Sequence, residues 1–445
     1  MIEGINDTIA AISTPIGKGA VAIVRVSGNR SIEIVDSLFK GKKNIKDLKA
    51  NTITYGKIID DNMQTVDEVL VSIFRAPHSF TGEDVIEINC HGGIIPNRIL
   101  DIIIKKGARL AYPGEFTKRA FFNGKIDITQ AEAINDIINS TTLSGASLAI
   151  KNLNKALSKK IADIRNKLLD VFAKTEVMIN YPEEEISFEK GDKDKIEYTI
   201  NEIKKILETP SSEKVFKGFK VVIAGRTNVG KSSLLNLLAG EEKAIVSHIH
   251  GTTRDIIEVE INIENIPIIL IDTAGIREEY ENEIEGYGII KAKENINKSD
   301  LVLFVFEADN GLTEDDKKIL KKIKKNTILV GNKADRGIKE NNINAVYISV
   351  KENKNINTLL EKIKEKLELK NIETTEFYIN KRQRDIIEKL FYKLVELYKI
   401  FLEEDKLDII SVLLQEAIKS LDTITGQDLN KDLFDNIFSN FCVGK

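Results

Sequence analysis

The run Gly225-Arg226-Thr227-Asn228-Val229-Gly230-Lys231-Ser232 lies between an apolar, β-branched stretch, Lys220–Ala224, and the helix-forming stretch Ser233–Leu238. This GxxxxGK[ST] pattern, placed between strand and helix, constrains the fold more than any other feature of the chain. The glycines let backbone N–H groups converge on phosphate oxygens, and the helix N-terminus adds a favourable partial charge. Lys231 is placed to reach the β- and γ-phosphates, and Ser232 to bind Mg²⁺. A strand that feeds such a turn belongs to a parallel α/β sheet.

Three further motifs follow in order, each at the end of an apolar run. Asp272-Thr273-Ala274-Gly275 comes after Ile268–Ile271, where an Asp can hold the Mg²⁺ shell and a Gly N–H can sense the γ-phosphate. Asn332-Lys333-Ala334-Asp335 comes after Ile328–Val330. Asp335 can accept two hydrogen bonds from guanine N1–H and N2–H, donors that adenine lacks, so the expected nucleotide is GTP. Ser349-Val350-Lys351 ends the run Ala345–Ile348 and would support guanine O6. Gly251-Thr252-Thr253-Arg254-Asp255 sits where a switch loop belongs, with Thr253 as the second Mg²⁺ ligand. The phosphate- and base-binding set therefore runs through Asn228–Ser233, Thr252, Thr253, Asp272–Gly275, Asn332, Lys333, Asp335 and Ser349–Lys351. Together the four motifs predict a Ras-like α/β G domain over 216–379.

The 445 residues are too many for that block alone, and leave room for about three domains. Residues 1–118 mix strand-like runs (Ala20–Val26, Val69–Phe74, Val85–Ile88) with a helical spacing over Pro96–Lys106, the pattern of an α+β domain. From 119 the texture is helical: Ala131–Ser140, one long amphipathic stretch from about Ser147 to Asn180 stopped by Pro182, and Lys193–Leu207. After the α/β block, helical spacing returns at Gln383–Phe401, Ile409–Leu421 and Leu429–Phe441. The expected organisation is an N-terminal domain (1–118) and an all-α bundle made of 119–215 and 380–445, with the G domain (216–379) inserted into the bundle. Charged residues at 30% and hydrophobic ones at 42% suit globular domains, and a net charge of −4 supplies no global field for nucleic acid. Two distant cysteines, Cys90 and Cys442, fit a reducing compartment. The N-terminus reads as neither signal nor transit peptide, and no membrane span is expected.

Ras-type enzymes place a water-orienting Gln directly after DxxG, but here that position is Ile276, which cannot orient water. The acids Glu278, Glu279, Glu281, Glu283 and Glu285 lie nearby, in a run that also reads as a solvated loop. Arg226, Arg254 and Arg277 can each be read as an arginine finger or as a surface residue.

Several stretches outside the nucleotide motifs carry a resemblance. They are Asp7–Ala11 with Thr14-Pro15-Ile16-Gly17-Lys18-Gly19, Ser79-Phe80-Thr81-Gly82-Glu83-Asp84, His91-Gly92-Gly93, Tyr112–Phe121, Gln130–Ile134 and the closing Phe441-Cys442-Val443-Gly444-Lys445. With these, the chain resembles the MnmE (TrmE) family of tRNA modification GTPases from end to end. The resemblance implies a cytoplasmic homodimer formed through an N-terminal domain similar to tetrahydrofolate-binding enzymes. That domain would bind a 5-formyl- or 5,10-methylene-tetrahydrofolate through Arg25, Glu87, Lys125 and Lys445, a set suited to a pterin and a glutamate tail.

The resemblance also implies K⁺ in place of an arginine finger. Asn228 would be one ligand; Ser247, His248, Ile249, His250, Gly251 and Thr252 would belong to the GTP-binding set as well, with Ser247, Ile249 and Thr252 as further K⁺ ligands. The catalytic acid would be Glu285, with Glu283 a rival because the intervening segment is one residue longer. Cys442 would face the substrate as a nucleophile or a bystander. The implied partner is the FAD-dependent flavoprotein MnmG, in a heterotetramer or larger. With it the family adds an aminomethyl or carboxymethylaminomethyl group to C5 of the tRNA wobble uridine. Nothing in the chain matches an FAD fingerprint. A ribosome-assembly or signalling switch without modification chemistry is the competing reading.

Overall fold

The computed structural model describes residues 7–15, 17–209, 212–241, 258–272, 294–323, 325–339, 343–369, 375–402, 406–428, 437–439, 441 and 444. The chain divides into two compact units. One comprises Met1–Asn135, Ile161–Arg165 and Gln415–Lys445, and the other Asp136–Lys160 and Asn166–Leu414.

The first unit is built on a seven-stranded sheet: β1 (Ile9–Ile12), β2 (Ala22–Ser27), β3 (Phe39–Gly41), β4 (Thr52–Ile59), β5 (Thr65–Phe74), β6 (Val85–Cys90) and β7 (Arg109–Leu110), in the order β3-β4-β5-β6-β2-β1-β7. Neighbours are antiparallel except for β1 and β7. Period-2 alternation sets the two faces. Ala22, Val24 and Val26 of β2 are buried in one core with Ile86, Ile88, Ile34, Val35, Ile99 and Ile103, the last four from the helices Ser31–Leu38 and Ile95–Lys105. Each fully buried aliphatic side chain of this kind contributes roughly 2 kcal/mol. Arg25 falls at the opposite parity to Val24 and Val26, directly across from Glu87 of β6. The α+β expectation holds here, with β1, β3, β4 and β7 added to the strands read from sequence.

The second unit carries a six-stranded sheet: β8 (Phe219–Ala224), β9 (Glu258–Ile263), β10 (Ile266–Asp272), β11 (Leu301–Glu307), β12 (Thr327–Asn332) and β13 (Ala345–Tyr347), ordered β13-β12-β11-β8-β10-β9. Five strands are parallel, as expected. β9 is the exception, an antiparallel edge strand joined to β10 by a tight turn in which Glu264 and Asn265 both have positive φ. Two successive left-handed residues match the twist of a two-residue hairpin turn. Polar residues alternate with apolar ones in Glu258-Val259-Glu260-Ile261-Asn262-Ile263, as on a half-exposed edge.

The long amphipathic stretch expected from Ser147 to Asn180 is two helices, Leu143–Leu153 and Ala156–Asn180. The break falls at Lys155, whose φ of 68° ends the first helix although the apolar spacing runs through it. Helices before and after the α/β block meet within this unit. Arg384 donates to the carbonyl oxygens of Leu207 (2.8 Å) and Thr209 (2.7 Å). Phe188 packs on Phe401 with ring centroids 4.3 Å apart, and Tyr398 hydrogen-bonds Glu197. Ile196, Ile203, Ile206, Ile387, Leu390, Leu394 and Leu397 are fully buried on these helices. Of the helix expected over Leu429–Phe441, only 437–439 is described as helical. Among the described residues no helix is long and apolar enough to cross a membrane.

Candidate nucleotide site and N-terminal site

The nucleotide motifs converge at the carboxyl ends of β8, β10 and β12, where open α/β sheets bind ligands. Gly225 and Gly230 have φ of 144° and 94°. A Cβ on Gly225 would lie 2.2 Å from the Val305 carbonyl oxygen, and one on Gly230 would lie 2.3 Å from Asn332 Nδ2. Both positions therefore demand glycine. Asn228 also takes a left-handed conformation, φ 63°.

The carbonyl oxygens of this loop are drawn to side chains around it. Lys231 Nζ donates to Arg226 O (2.8 Å), Asn332 Nδ2 to Val229 O (2.9 Å) and Lys333 Nζ to Asn228 O (2.9 Å). Burial pushes the Lys231 pKa down, and the Asp272 carboxylate opposes that fall.

Ser232, in the first turn of the helix Lys231–Glu241, donates from Oγ to Asp272 Oδ2 at 2.5 Å. Asp272 Oδ1 is buried and has no hydrogen-bond partner among the described residues. A carboxylate oxygen left in that condition beside a serine hydroxyl has the oxygen donors a divalent cation needs. The pair fits Mg²⁺.

The base-recognition residues form a separate cluster. Ser349 Oγ donates to Asp335 Oδ1 (2.6 Å) and accepts from Glu352 N–H (3.2 Å). The Ser349 hydrogen bond is the main cause holding the Asp335 carboxyl below its ordinary pKa. Ala334 N–H donates to Ile348 O, which ties the two base-recognition loops together (3.1 Å). Val350 N–H reaches Asn332 Oδ1 at 3.2 Å. Ser233 is exposed on the first turn of the helix, and Lys351 is exposed on its loop.

Two acids of this site carried no sequence motif. Glu307 pairs with Lys333, and Asp316 pairs with Arg226 Nε at 3.0 Å. The second pair anchors the Arg226 guanidinium on a fully buried carboxylate. Asp316 also closes a capping box with Thr313 at the start of the helix Glu314–Lys322, and its Arg226 partner lies far away in sequence. Ser247, His248, Ile249, His250, Gly251, Thr252, Thr253, Arg254, Thr273, Ala274, Gly275, Arg277, Glu283 and Glu285 lie outside the described residues.

In the first unit, Arg25 donates from Nε to Glu87 Oε1 (2.9 Å) and from Nη1 to the Gly444 carbonyl (3.2 Å). Its guanidinium carbon lies 5.7 Å from the Phe80 ring centroid and 5.6 Å from that of Phe116. Arg25 Nη2 also approaches Glu87 Oε1 (2.8 Å). A carboxylate beside a planar cation and aromatic rings fits a flat, N–H-bearing ring system such as a pterin.

Lys125 Nζ donates to Pro77 O at 2.9 Å. Lys445 and Cys442 lie outside the described residues. Behind the cluster, Arg119 is almost fully buried and pairs with Asp7 (2.5 Å), Glu83 (3.1 Å) and Glu115 (3.2 Å). Cys90 is buried as well, and burial raises its thiol pKa to about 11. A thiol so placed is inert.

Residues 8–125 match the model for the GTP-binding protein TrmE N-terminus, and 128–442 match the MnmE helical domain. The chain belongs to the MnmE family of tRNA modification GTPases. It is 42% identical over 466 residues to the tRNA modification GTPase MnmE of Acetivibrio thermocellus, covering 99% of both chains. It is 40% identical over 459 residues to that of Clostridioides difficile, covering 99% of this chain and all of the relative. Among solved structures, a variant of Aquifex aeolicus Era bound to GDP·AlF4⁻ is similar over 33% of this chain and 56% of its own, with 30% identity and a TM-score of 0.29.

Proposed function

We propose that this MnmE-family chain is a K⁺-stimulated GTPase of the cytoplasm. With the flavoprotein MnmG it installs an aminomethyl or carboxymethylaminomethyl group at C5 of the tRNA wobble uridine, drawing the carbon from a tetrahydrofolate one-carbon unit. The observation that carries this reading is the pairing of a guanine-nucleotide site in one unit with the Arg25–Glu87–Gly444 cluster in the other, within a chain matched to the family over 99% of its length.

In this proposal the loop amides and Lys231 hold the triphosphate, and Asp335 reads guanine through its ionised carboxylate. Ser232, Thr253 and Asp272 hold Mg²⁺. The metal supplies charge neutralisation on the phosphate oxygens when bound. Asn228 with Ser247, Ile249 and Thr252 is assigned to K⁺, and Glu285 to the acid that orients water, with Glu283 its rival. Arg25, Glu87, Lys125 and Lys445 hold the folate, and Cys442 faces the substrate. Homodimerisation is assigned to the N-terminal domain (1–118), beside the bundle segments 119–215 and 380–445 and the G domain 216–379.

GTP turnover measured in K⁺ against Na⁺, at several protein concentrations, tests the GTPase half. The expected result is faster turnover in K⁺ that rises with concentration, and slow turnover blind to the cation would overturn it. Nucleoside analysis of tRNA from cells lacking the protein tests the other half, because an unchanged wobble uridine would refute the modification.

A further inference from the structure

The helix Leu143–Leu153 belongs to the helical part of the chain, yet its buried residues are part of the nucleotide-binding core. Leu148 and Ala149 share one buried cluster with Ile261 and Ile263 of β9, Ile268 and Leu270 of β10, and Tyr378. Two kinds of polar contact surround this packing.

The first kind centres on the buried Tyr378. Asn152 Nδ2 donates to Tyr378 O (3.0 Å), the Tyr378 hydroxyl donates to Asp136 Oδ2 (2.5 Å), and Phe216 stands edge-on to the Tyr378 ring with centroids 4.9 Å apart. The second kind is exposed and long. Thr141 Oγ1 reaches Glu260 Oε1 at 3.3 Å, and Ser144 Oγ reaches the Glu264 carbonyl at 3.4 Å. Lys364 holds the Glu264 carboxylate from another side, at 2.7 Å.

Glu260 and Glu264 belong to the β9–β10 hairpin, whose other end is Asp272. Six residue-to-residue steps of extended strand lead from Ile266 to Asp272, about 20 Å of stiff backbone. From Ile268 to Asp272 β10 is paired with β8, which opens into the phosphate loop. The segment between the phosphate-loop helix and β9 and the segment that follows Asp272 are the two that carry Thr253 and Gly275. The hairpin therefore joins both nucleotide-sensing stretches in the chain.

We propose that helix Leu143–Leu153, seated on the β9–β10 hairpin, is the linkage that passes the state of the nucleotide site to the helical part of the chain. Asn152 anchors the helix by a buried bond to Tyr378, whose hydroxyl is held in turn by Asp136. Thr141 and Ser144 read the hairpin through two weak, exposed ones that a small displacement breaks. Displacement at Asp272 then changes contacts at the N-terminal turn of the helix, where Thr142 Oγ1 caps Gly145 N–H at 3.2 Å, and leaves the anchored end in place. The linkage rests on the GTPase reading, since it needs two nucleotide states with different contacts.

Hydrogen exchange on the full-length chain, with GDP and with a non-hydrolysable GTP analogue at saturation, tests it. Residues 142–147 are expected to exchange at rates that differ about fivefold or more between the two states, the smallest effect a coupling of ordinary size gives. In a Thr141→Val/Ser144→Ala variant the difference should shrink to less than half, with nucleotide affinity unchanged. Equal exchange in both states, or a variant that keeps the full difference, overturns the linkage. Nucleotide binding is read in the same samples. A chain that binds no guanine nucleotide removes the GTPase reading together with the linkage, whereas binding without an exchange difference removes the linkage alone.

Discussion

The nucleotide site and the Arg25 site differ in how the chain builds them. The first is assembled from short strand–turn segments, each of which presents its own ligand. β8 delivers the glycine loop, β10 delivers Asp272, and β12 delivers Asn332 to Asp335. The second is assembled from single residues far apart in the chain: Arg25 from β2, Glu87 from β6, Phe80 and Phe116 from loop and helix, and the Gly444 carbonyl from the C-terminus. A local site is fixed by turn geometry. A dispersed one is fixed by strand register and by where the tail comes to rest.

That contrast predicts that one chemical change disables the first site while leaving the second untouched. Asp335→Asn exchanges the two-fold acceptor for a group that presents a donor to guanine N1–H and N2–H. GTP affinity should fall on the order of 10³-fold or more, as in sites built to pair a specific N–H or O–H. Xanthosine triphosphate, with a carbonyl where guanine has its amine, should recover much of that loss. A competition binding measurement with the two nucleotides decides. Equal affinity of the variant and the parent for GTP would place base recognition elsewhere, and an altered folate affinity would break the independence of the two sites.

Legibility in the sequence followed the same division. Gly225, Lys231, Asp272 and Asp335 were readable because each sits at a fixed offset from an apolar run, and a parallel sheet containing β8, β10, β12 and β13 followed from that alternation, whereas β11 (Leu301–Glu307) precedes no motif and was not read. The antiparallel β9 was not readable as such, because alternation shows an exposed edge but not its direction. Lys155 was hidden for a related reason: apolar spacing of three and four continues across a single left-handed residue. Without the family resemblance, Arg25 reads as a surface charge and Glu87 as a strand-face residue. Their meaning depends on Phe80, Phe116 and Gly444, none of which is marked by local pattern. Asp316 was likewise invisible as the partner of Arg226, since long-range ion pairs leave no periodic trace.

The dispersed site should be sensitive to backbone at its last contributor. Gly444 has φ 93°, and a Cβ there would lie 2.5 Å from the Ile12 carbonyl oxygen and 2.9 Å from Ser13 Cα. Its carbonyl accepts from both Arg25 and Ser13 Oγ, the latter at 3.1 Å. Gly444→Ala should therefore displace the tail at a cost of about 1–3 kcal/mol. With 1.4 kcal/mol equal to tenfold, reduced-folate affinity should drop roughly five- to a hundredfold. GTP affinity should stay at the parental value. Calorimetric titration with 5-formyl-tetrahydrofolate and, separately, GDP reads both, and a variant that binds folate normally would show that the tail is dispensable.

The smallest effect concerns acid, and it separates the units by stability. Asp7 and Glu115 share the guanidinium groups of Arg109 and Arg119. For each carboxylate burial is the largest influence and pushes upward. Hydrogen bonds from Arg109, joined at Asp7 by those from Arg119 and at Glu115 by the Tyr112 N–H, together with the arginine charges outweigh it, so both pKa values fall below their ordinary 3.8 and 4.5. A carboxylate whose folded pKa is depressed binds fewer protons than its unfolded form. Its stabilising contribution is complete above the ordinary value and disappears as pH falls through the folded one. Stability of the first unit should then be flat from pH 7 to about 5 as far as this pair is concerned, and decline below about 4.5. Glu115→Gln should lower stability at neutral pH and flatten the acid limb, because one of the titrating groups is gone. Exchange protection of β1 and β7, followed from pH 7 to 3, reports this unit alone. An acid limb equally steep in parent and variant would show that the arginine cluster does not set the first unit's acid stability, and the dispersed site would then owe its shape to strand register by itself.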